Sequence, residues 1–219
     1  MTPRGLLVDY GGVLTNQIRD TVDAFLAGDD IDPEQYAEAI RDWLGDGAAA
    51  DNPMHLLERG HLPERDFERE LAGRLRRRDG SRIRADGLLE RMFAGTRREP
   101  VMVTVVRRAH DAGIRTALLS NSWSMNAYDR DAWEQTFDAV VISGEVGMRK
   151  PDREIYLHTA AQLGLPAAAC VFVDDLAGNV HGAVAAGMVG VHHVSASATL
   201  AELAALFGDA LPLAGLGIE

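Results

Sequence analysis

The sequence predicts an α/β fold, a doubly wound parallel sheet interrupted after its first strand by a block of helices. From Pro100 onward, short apolar runs alternate with helical segments, an order typical of parallel strands covered by helices on both faces. A similar apolar run, Leu6–Val8, precedes the helical block. Between the two parts, residues 16–98 show helical patterns and no strand pattern. The block is therefore predicted to be an insertion into one α/β core, residues 1–15 and 99–219.

The individual elements follow from these patterns in chain order. Leu6–Val8 is too uniformly apolar to alternate, which predicts a short buried strand that ends at Asp9. Pro33 and Pro63 are placed in first helical turns, where a missing N–H costs little. The predicted helices of the block are Thr21–Leu26, Pro33–Trp43, Pro63–Leu75 and Gly87–Phe93. In the second part, the predicted strands are Thr116–Leu119, Ala139–Ile142, Cys170–Val173 and Val189–Val191, and the predicted helices are Val101–His110, Asp152–Leu163, Asn179–Ala186 and Leu200–Leu206.

Composition and charge restrict the possible partners. The formal net charge of −11 and the sequence pI near 5.1 disfavour nucleic acid and anionic membranes as partners, because such a surface repels polyanions. The single cysteine, Cys170, cannot form an intrachain disulfide and lies in an apolar run, so we expect a core residue of a reducing compartment. Without a signal peptide or a membrane-spanning run, the chain is expected to be cytoplasmic.

Polar residues follow the predicted strands or lie in the loops between them. A doubly wound sheet brings the carboxyl ends of its strands to one edge, where such proteins bind ligands. Together the polar groups supply a nucleophilic carboxylate, a hydroxyl, an ammonium and paired carboxylates. This set suits phosphoryl transfer through an aspartyl-phosphate, with Mg2+ held by hard oxygen ligands. The residues are Asp9, Ser120, Asn121, Lys150, Asp174 and Asp175.

Each of these signals has an ordinary structural alternative. An aspartate at a strand end, such as Asp9, is by itself more typical of a turn or a helix cap. Gly11 and Gly12 allow the backbone to turn tightly and to approach whatever Asp9 holds. Lys150 is the only lysine among 22 basic residues, which favours a position that needs a compact ammonium, although one surviving surface lysine explains the count equally well. Pro151 directly after it is predicted to begin a helix.

Four stretches of the chain resemble the haloacid dehalogenase (HAD) superfamily. They read LLVDYGGVL, TALLSNS, GEVGMRKPDREIY and VFVDDLAGNVHGAVAAGMVGV, and they span the core in the order and spacing of that family. The first motif, Asp-x-Gly-Gly-Val-Leu, is similar to that of the phosphatase-like branch of subfamily I. The resemblance implies that residues 16–98 form a helical cap of the C1 type.

The resemblance also implies roles for individual residues. Asp9 would be the nucleophile, and Lys150 would neutralise the charge of the nucleophile and of the transferring phosphoryl group. Ser120 would bind the phosphoryl oxygens, with Asn121 supporting that site. Gly12, together with the preceding glycine, would bring the backbone close to the substrate. The implied substrate is a small phosphorylated metabolite.

Mg2+ is the cofactor that the resemblance implies. Asp9 and the backbone carbonyl of Gly11 would be ligands. Of the adjacent carboxylates Asp174 and Asp175, Asp175 would be the more direct metal ligand, with Asp174 in support. Phosphatases of the family usually carry a second aspartate two residues after the nucleophile, as a general acid and base, and this chain has Gly11 there.

Three functions are consistent with these residues. The favoured one is Mg2+-dependent hydrolysis of a small phosphomonoester, with a preference for good leaving groups because the usual acid is absent. The second is a dehalogenase, which uses the same aspartate to displace halide without a metal. The third is a binding or regulatory protein with an impaired site. A chelator separates the first two functions, and metal-dependent turnover excludes the third.

Overall fold

The centre of the molecule is a parallel sheet of five strands. The structure is a computed structural model that describes residues 2–44, 48–49, 51–123, 128, 133 and 135–216. The strands are β1 (Gly5–Val8), β2 (Arg115–Ser120), β3 (Ala139–Ile142), β4 (Cys170–Asp174) and β5 (Val189–His192). They lie in the order β3-β2-β1-β4-β5, and every neighbouring pair is parallel. The predicted α/β class with a doubly wound parallel sheet is confirmed.

Ten α-helices accompany the sheet in the described residues. They are α1 (Ile18–Gly28), α2 (Pro33–Leu44), α3 (Pro53–Glu58), α4 (Glu64–Arg74), α5 (Leu88–Phe93), α6 (Pro100–Asp111), α7 (Ser143–Val146), α8 (Arg153–Gln162), α9 (Ala177–Ala185) and α10 (Ala196–Phe207). Two short 3-10 turns, Ala167–Ala169 and Gly208–Ala210, complete the second half. No described helix is long and apolar enough to span a bilayer.

Helices cover both faces of the sheet, which explains why its strands read as continuous apolar runs. Leu6 and Val8 of β1 pack into a cluster with α6 and α10. Leu7, between them, faces the opposite side and packs with α8 and α9. Because successive side chains of a strand point to opposite faces, a strand buried on both sides must be apolar at every position.

The helices between β1 and α6 pack around a core of their own. Helices α1 to α5, called the inserted helices below, share a cluster that includes Trp43, Phe67, Leu71 and Leu88. The chain enters and leaves this unit through adjacent segments, since Thr15 forms an antiparallel bridge with Arg98. The described residues between these two positions contain isolated bridges but no named strand.

One local prediction, for Pro151, is wrong, and two short helices, α3 and α7, were not predicted. Helix α3 was not predicted, although Asn52 caps its first turn by accepting from the His55 N–H at 3.0 Å and Pro53 occupies the first position. Six residues are too few to show a helical period, so only the cap signal was available. Pro151 does not begin a helix, because it lies in a turn closed by the Asp152 N–H on the Arg149 carbonyl, at 2.9 Å. Helix α8 starts after that turn.

Candidate active site

The candidate site lies at the carboxyl end of the sheet, around β1. From β1 the chain continues to β2 and β3 on one side of the sheet and then crosses to β4 and β5 on the other side, so the order of strands reverses at β1. β1 lies between β2 and β4, and its last residue, Val8, is in register with Leu118 and Val173. Asp9 follows directly, and its N–H donates to the Val173 carbonyl at 2.9 Å. In open α/β sheets this reversal point is the usual position of a ligand crevice. The sheet therefore brings the ends of β1, β2 and β4 together.

Lys150 is buried between two of the predicted carboxylates. Its side chain is 1% exposed, and its Nζ lies 2.7 Å from Asp9 Oδ1 and 2.6 Å from Asp174 Oδ2. Burial alone would lower the pKa of this ammonium, but attraction to Asp174 and Asp9 outweighs burial and raises the pKa. Lys150 therefore stays protonated and holds the two carboxylates on either side of it.

The site carries more negative charge than Lys150 can balance. Asp9, Asp174 and Asp175 offer ligand oxygens that all lie within 4.8 Å of one another. Burial raises the pKa of Asp9 to about 7, against the pull of Lys150 and with Asp174 adding to the rise. Burial and Asp174 also raise the pKa of Asp175 to about 6. When all three carboxylates are ionised, one ammonium leaves two negative charges, and a hard divalent cation with oxygen ligands fits that donor set.

The two carboxylates after β4 have different surroundings. Asp174 is completely buried, and its oxygens accept from Lys150, from the Leu176 N–H at 2.8 Å and from the Asn179 amide at 3.1 Å. Asp175 is only half-buried. Its carboxylate lies against Gly12, where a Cβ would come 2.2 Å from Oδ2. Gly12 also has a φ of +74°, so glycine is required there for both reasons.

Two polar residues at the end of β2, Ser120 and Asn121, make different contacts. The Asn121 side chain accepts from the Lys150 N–H at 2.8 Å and donates to the Lys150 carbonyl at 3.0 Å, so it fixes the backbone of the lysine. The Ser120 hydroxyl is 3.0 Å from the hydroxyl of Tyr128. Burial raises the pKa of Tyr128 to about 12, so this phenol remains a donor at neutral pH. Nothing in the sequence had indicated Tyr128.

An apolar side chain covers the position where a general acid is usual. A Cβ on Gly11 would come 2.7 Å from Cδ1 of Ile18, the first residue of α1. No sequence pattern connects these two residues. His192, also not predicted for the site, places its Nε2 2.9 Å from the backbone carbonyl of Asp175.

The chain is similar to a family of hydrolases and to several known proteins. The family model for haloacid dehalogenase-like hydrolases matches residues 3–187. A sesquiterpene phosphatase, astK, of Aspergillus oryzae is 35% identical over 111 residues, which are 49% of this chain and 56% of that protein. Protein CbbY of Rhodobacter capsulatus is 28% identical over 96 residues, 41% of this chain and 42% of that protein. The chain thus spans about half the length of these relatives.

Solved structures share the fold. A HAD family enzyme from Bacteroides thetaiotaomicron superposes with a TM-score of 0.66 at 18% identity, covering 88% of this chain and 94% of that one. The complex of the same enzyme with magnesium and inorganic phosphate superposes with a TM-score of 0.62 at 18% identity, covering 87% and 93%. With the family match over most of its length, the chain belongs to the haloacid dehalogenase-like hydrolase family.

Proposed function

We propose that this chain hydrolyses a small phosphomonoester in a Mg2+-dependent reaction, with Asp9 as the nucleophile. The observation that carries the proposal is the charge arrangement at the sheet edge. A buried lysine contacts Asp9 and Asp174, and three carboxylates offer oxygens within 4.8 Å of one another. A phosphoryl group with a divalent cation complements this arrangement, because the cation balances the carboxylates and the ammonium faces the phosphoryl oxygens.

The relatives support phosphate as the substrate class. One relative is named as a sesquiterpene phosphatase, and a structure with the same fold contains magnesium and inorganic phosphate. A metal-free dehalogenase is less well supported, because three clustered carboxylates with one ammonium suit a cation better than a halide leaving group. We propose membership of the phosphatase-like branch of subfamily I on the same grounds.

The chain's own residues account for the two chemical steps. In the first step an oxygen of Asp9 attacks phosphorus, the ester P–O bond breaks, and the leaving oxygen takes the electron pair and a proton from solvent. In the second step water attacks the same phosphorus, which breaks its bond to Asp9 and releases inorganic phosphate. Lys150 stabilises the negative charge of Asp9 before attack and of the phosphoryl oxygens during transfer. Ser120 would bind a phosphoryl oxygen, with the Asn121 amide and the Gly12 backbone supporting that subsite.

The residues that would hold Mg2+ are Asp9, the carbonyl of Gly11 and Asp175. Asp174 supports them from its position beside Lys150, since its oxygens already accept from Leu176 and Asn179. When bound, the cation would neutralise charge on the phosphoryl oxygens. Its ligands are hard oxygens, which are the donors that Mg2+ prefers.

We also propose that residues 16–98 act as a cap on a core formed by residues 1–15 and 99–219. Two observations support this division. The inserted helices have a buried cluster separate from the two clusters on the sheet. The chain enters and leaves them through the paired residues Thr15 and Arg98. A unit joined in this way can move over the site and exclude water.

The proposed function is tested with a panel of sugar, nucleotide, acyl and aryl phosphates, each with Mg2+ and with a chelator. We expect turnover that the chelator abolishes. Asp9→Asn should abolish it too, because an amide is not a nucleophile and binds a hard cation poorly. The variant should remain folded, since Lys150 keeps its contact with Asp174.

Cys170→Ser serves as the control, because Cys170 is buried in β4 away from the clustered carboxylates and should affect stability only. If Asp9→Asn, purified free of host phosphatases, kept more than about a hundredth of the wild-type rate, covalent catalysis by Asp9 would be wrong.

A further inference from the structure

The end of helix α3 reaches across to the core through the side chain of Glu58. This residue is 4% exposed, and its Oε2 accepts from Nε of Arg149, which is 8% exposed, at 2.6 Å. Its Oε1 accepts from the indole N–H of Trp123 at 3.3 Å. Both carboxylate oxygens of Glu58 therefore accept hydrogen bonds from core residues. The buried positive charge of Arg149 compensates the buried negative charge of Glu58.

The backbone of the same segment adds further contacts. The Glu58 carbonyl accepts from the Ser143 hydroxyl at 2.5 Å, and that hydroxyl accepts from the Ser122 N–H at 2.8 Å. Arg59 pairs with Asp152 at 2.8 Å. We call this set of contacts the α3 junction. It connects the inserted helices to the loop after β2 and to the loop before α8.

These two loops carry Asn121 and Lys150 of the candidate site. Ser120 ends β2 and Asn121 begins the loop that continues to Trp123, and Lys150 follows Arg149 directly. The Asn121 side chain already joins the loops through its two bonds to the Lys150 backbone. Glu58 adds a second connection from outside the core, because it holds Trp123 with one oxygen and Arg149 with the other.

We propose that Glu58 is a positioning residue, which fixes Lys150 relative to Asp9 by holding Arg149 and Trp123 when the inserted helices lie on the core. The inference rests on the proposed function and adds to it a residue of the inserted helices that the reaction needs. Glu58 does not contact the reacting atoms. A displacement of Lys150 by a fraction of its 2.7 Å contact with Asp9 would weaken the stabilisation of charge in the transition state.

The chain offers a matched control for a purely structural role. Arg91 of α5 and Asp29, which directly follows α1, form a second Arg–carboxylate pair, partly buried and 2.8 Å apart, in which neither residue belongs to a core loop. Asp29→Asn breaks that pair without touching either core loop. Glu58→Gln keeps the size of the side chain and an acceptor for Trp123, but it removes the charge opposite Arg149.

The first measurement is steady-state kinetics with an aryl phosphate at saturating Mg2+. Glu58→Gln should lower kcat by about ten- to a hundredfold with a smaller change in KM, because orientation in the transition state is affected more than binding. Asp29→Asn should keep the wild-type kcat at a comparable loss of Tm. Glu58→Gln combined with Arg149→Gln should be no slower than the slower single variant, since the two residues act as one unit. Equal kcat values for Glu58→Gln and Asp29→Asn would overturn the proposal.

The second measurement does not depend on turnover. Lys150 is the only lysine of the chain, so protein labelled with [13C]lysine gives one set of lysine side-chain NMR signals. Glu58→Gln should shift or broaden these signals, and Asp29→Asn should leave them in place. Unchanged signals in Glu58→Gln would overturn the positioning role. Should Glu58→Gln fail to fold, Glu58→Asp, which keeps the charge but shortens the reach, should show the same two effects at smaller size, and wild-type behaviour would overturn the proposal.

The two measurements separate this inference from the proposed function. If the wild type hydrolyses none of the panel phosphates, the proposed function is wrong, and the lysine signal still decides whether Glu58 fixes Lys150. If the wild type is active and Glu58→Gln is equally active, the function stands and the positioning role is wrong.

Discussion

Gly11 leaves the position two residues after the proposed nucleophile without a proton donor. The side chain of Ile18 lies over it, with Cδ1 only 2.7 Å from where a Cβ would be. An alkyl phosphate expels a strongly basic alkoxide, and a positioned acid that protonates it is typically worth about a hundred- to ten-thousandfold in rate. Under the proposed function, we therefore expect a preference for leaving groups that depart with little protonation, such as those of aryl phosphates, acyl phosphates and anomeric sugar phosphates.

We predict that the rate depends steeply on the basicity of the leaving group. A series of substituted aryl phosphates, compared at saturating Mg2+, measures this slope. The same lack of a base should slow the attack of water on the aspartyl-phosphate, so the phosphoenzyme should accumulate and be detected after rapid quench. A shallow slope without phosphoenzyme would show that another residue transfers the proton.

Gly11→Asp tests whether the missing carboxyl group causes the slope. The new side chain collides with Ile18, but Ile18 is 41% exposed and can move outward. We expect Gly11→Asp combined with Ile18→Ala to flatten the dependence, provided that the carboxyl group reaches the bridging oxygen. Ile18→Ala alone is the control, and it should keep the steep slope because it adds no acid.

The sequence indicated those residues of the candidate site that directly follow strands. Asp9, Asp174 and Asp175 end or follow β1 and β4, and the parallel order of the sheet brings such positions to one edge. Glu58 and Ile18 left no signal of this kind. Glu58 contacts Arg149 across 91 residues of chain, and no local period or spacing encodes a contact between an inserted helix and a core loop.

Among the elements, the inserted helices are attached to the loops of the candidate site. Their separate cluster makes them a unit, and the α3 junction attaches this unit to the loops of the candidate site. Trp123 illustrates the connection, because it belongs to a core loop but packs on Phe67 and Phe93 of the inserted helices. Specificity and rate should therefore both depend on the inserted helices.

Deletion of residues 18–97, bridged by a short Gly/Ser linker, tests whether specificity and rate depend on the inserted helices. We expect the core to fold around the sheet, with two effects on activity. If the inserted helices act as the proposed cap, substrate preference should broaden because their contacts with the substrate are lost, and kcat should fall because Glu58 no longer holds Arg149. The panel of phosphates measures the first effect, and comparison with Glu58→Gln in the full chain measures the second. If the truncated core still discriminated among the panel phosphates as the full chain does, the inserted helices would not determine substrate specificity.

Length and burial decide which helices and strands the sequence predicts. The strands were predicted because each is a compact apolar run; β1, β2 and β4 are buried along nearly their whole length, whereas the edge strands β3 and β5 are only partly buried. Helix α3 was not, because its six residues cannot show a period and its stability comes from the Asn52 cap and from packing of Met54 and Leu57. Elements held mainly by tertiary contacts are the ones that sequence patterns miss.

The molecule is acidic as a whole, and negative charge is also concentrated at the candidate site. The formal net charge is −11, and three carboxylates lie within 4.8 Å at the carboxyl end of the sheet with one buried ammonium between two of them. Burial of these carboxylates and, to a smaller extent, their mutual repulsion disfavour their charged forms in the folded chain, which raises the pKa values of Asp9 and Asp175 and opposes folding at neutral pH. A cation that binds only the folded chain should offset that cost.

We therefore predict that Mg2+ raises the thermal stability of the protein and that a chelator reverses the effect. At a Mg2+ concentration of about 100 times Kd, the linkage contribution is about 2.7 kcal/mol, which corresponds to a rise in Tm of roughly 5 to 10 °C for a domain of this size. NaCl at matched ionic strength should not reproduce the rise, because screening supplies no ligand bonds. Asp175→Asn should raise the metal-free Tm, since it removes one repelling charge, and should remove most of the Mg2+ response. If Asp175→Asn kept the full response, the cation would bind elsewhere and the charge balance proposed for this edge of the sheet would be wrong.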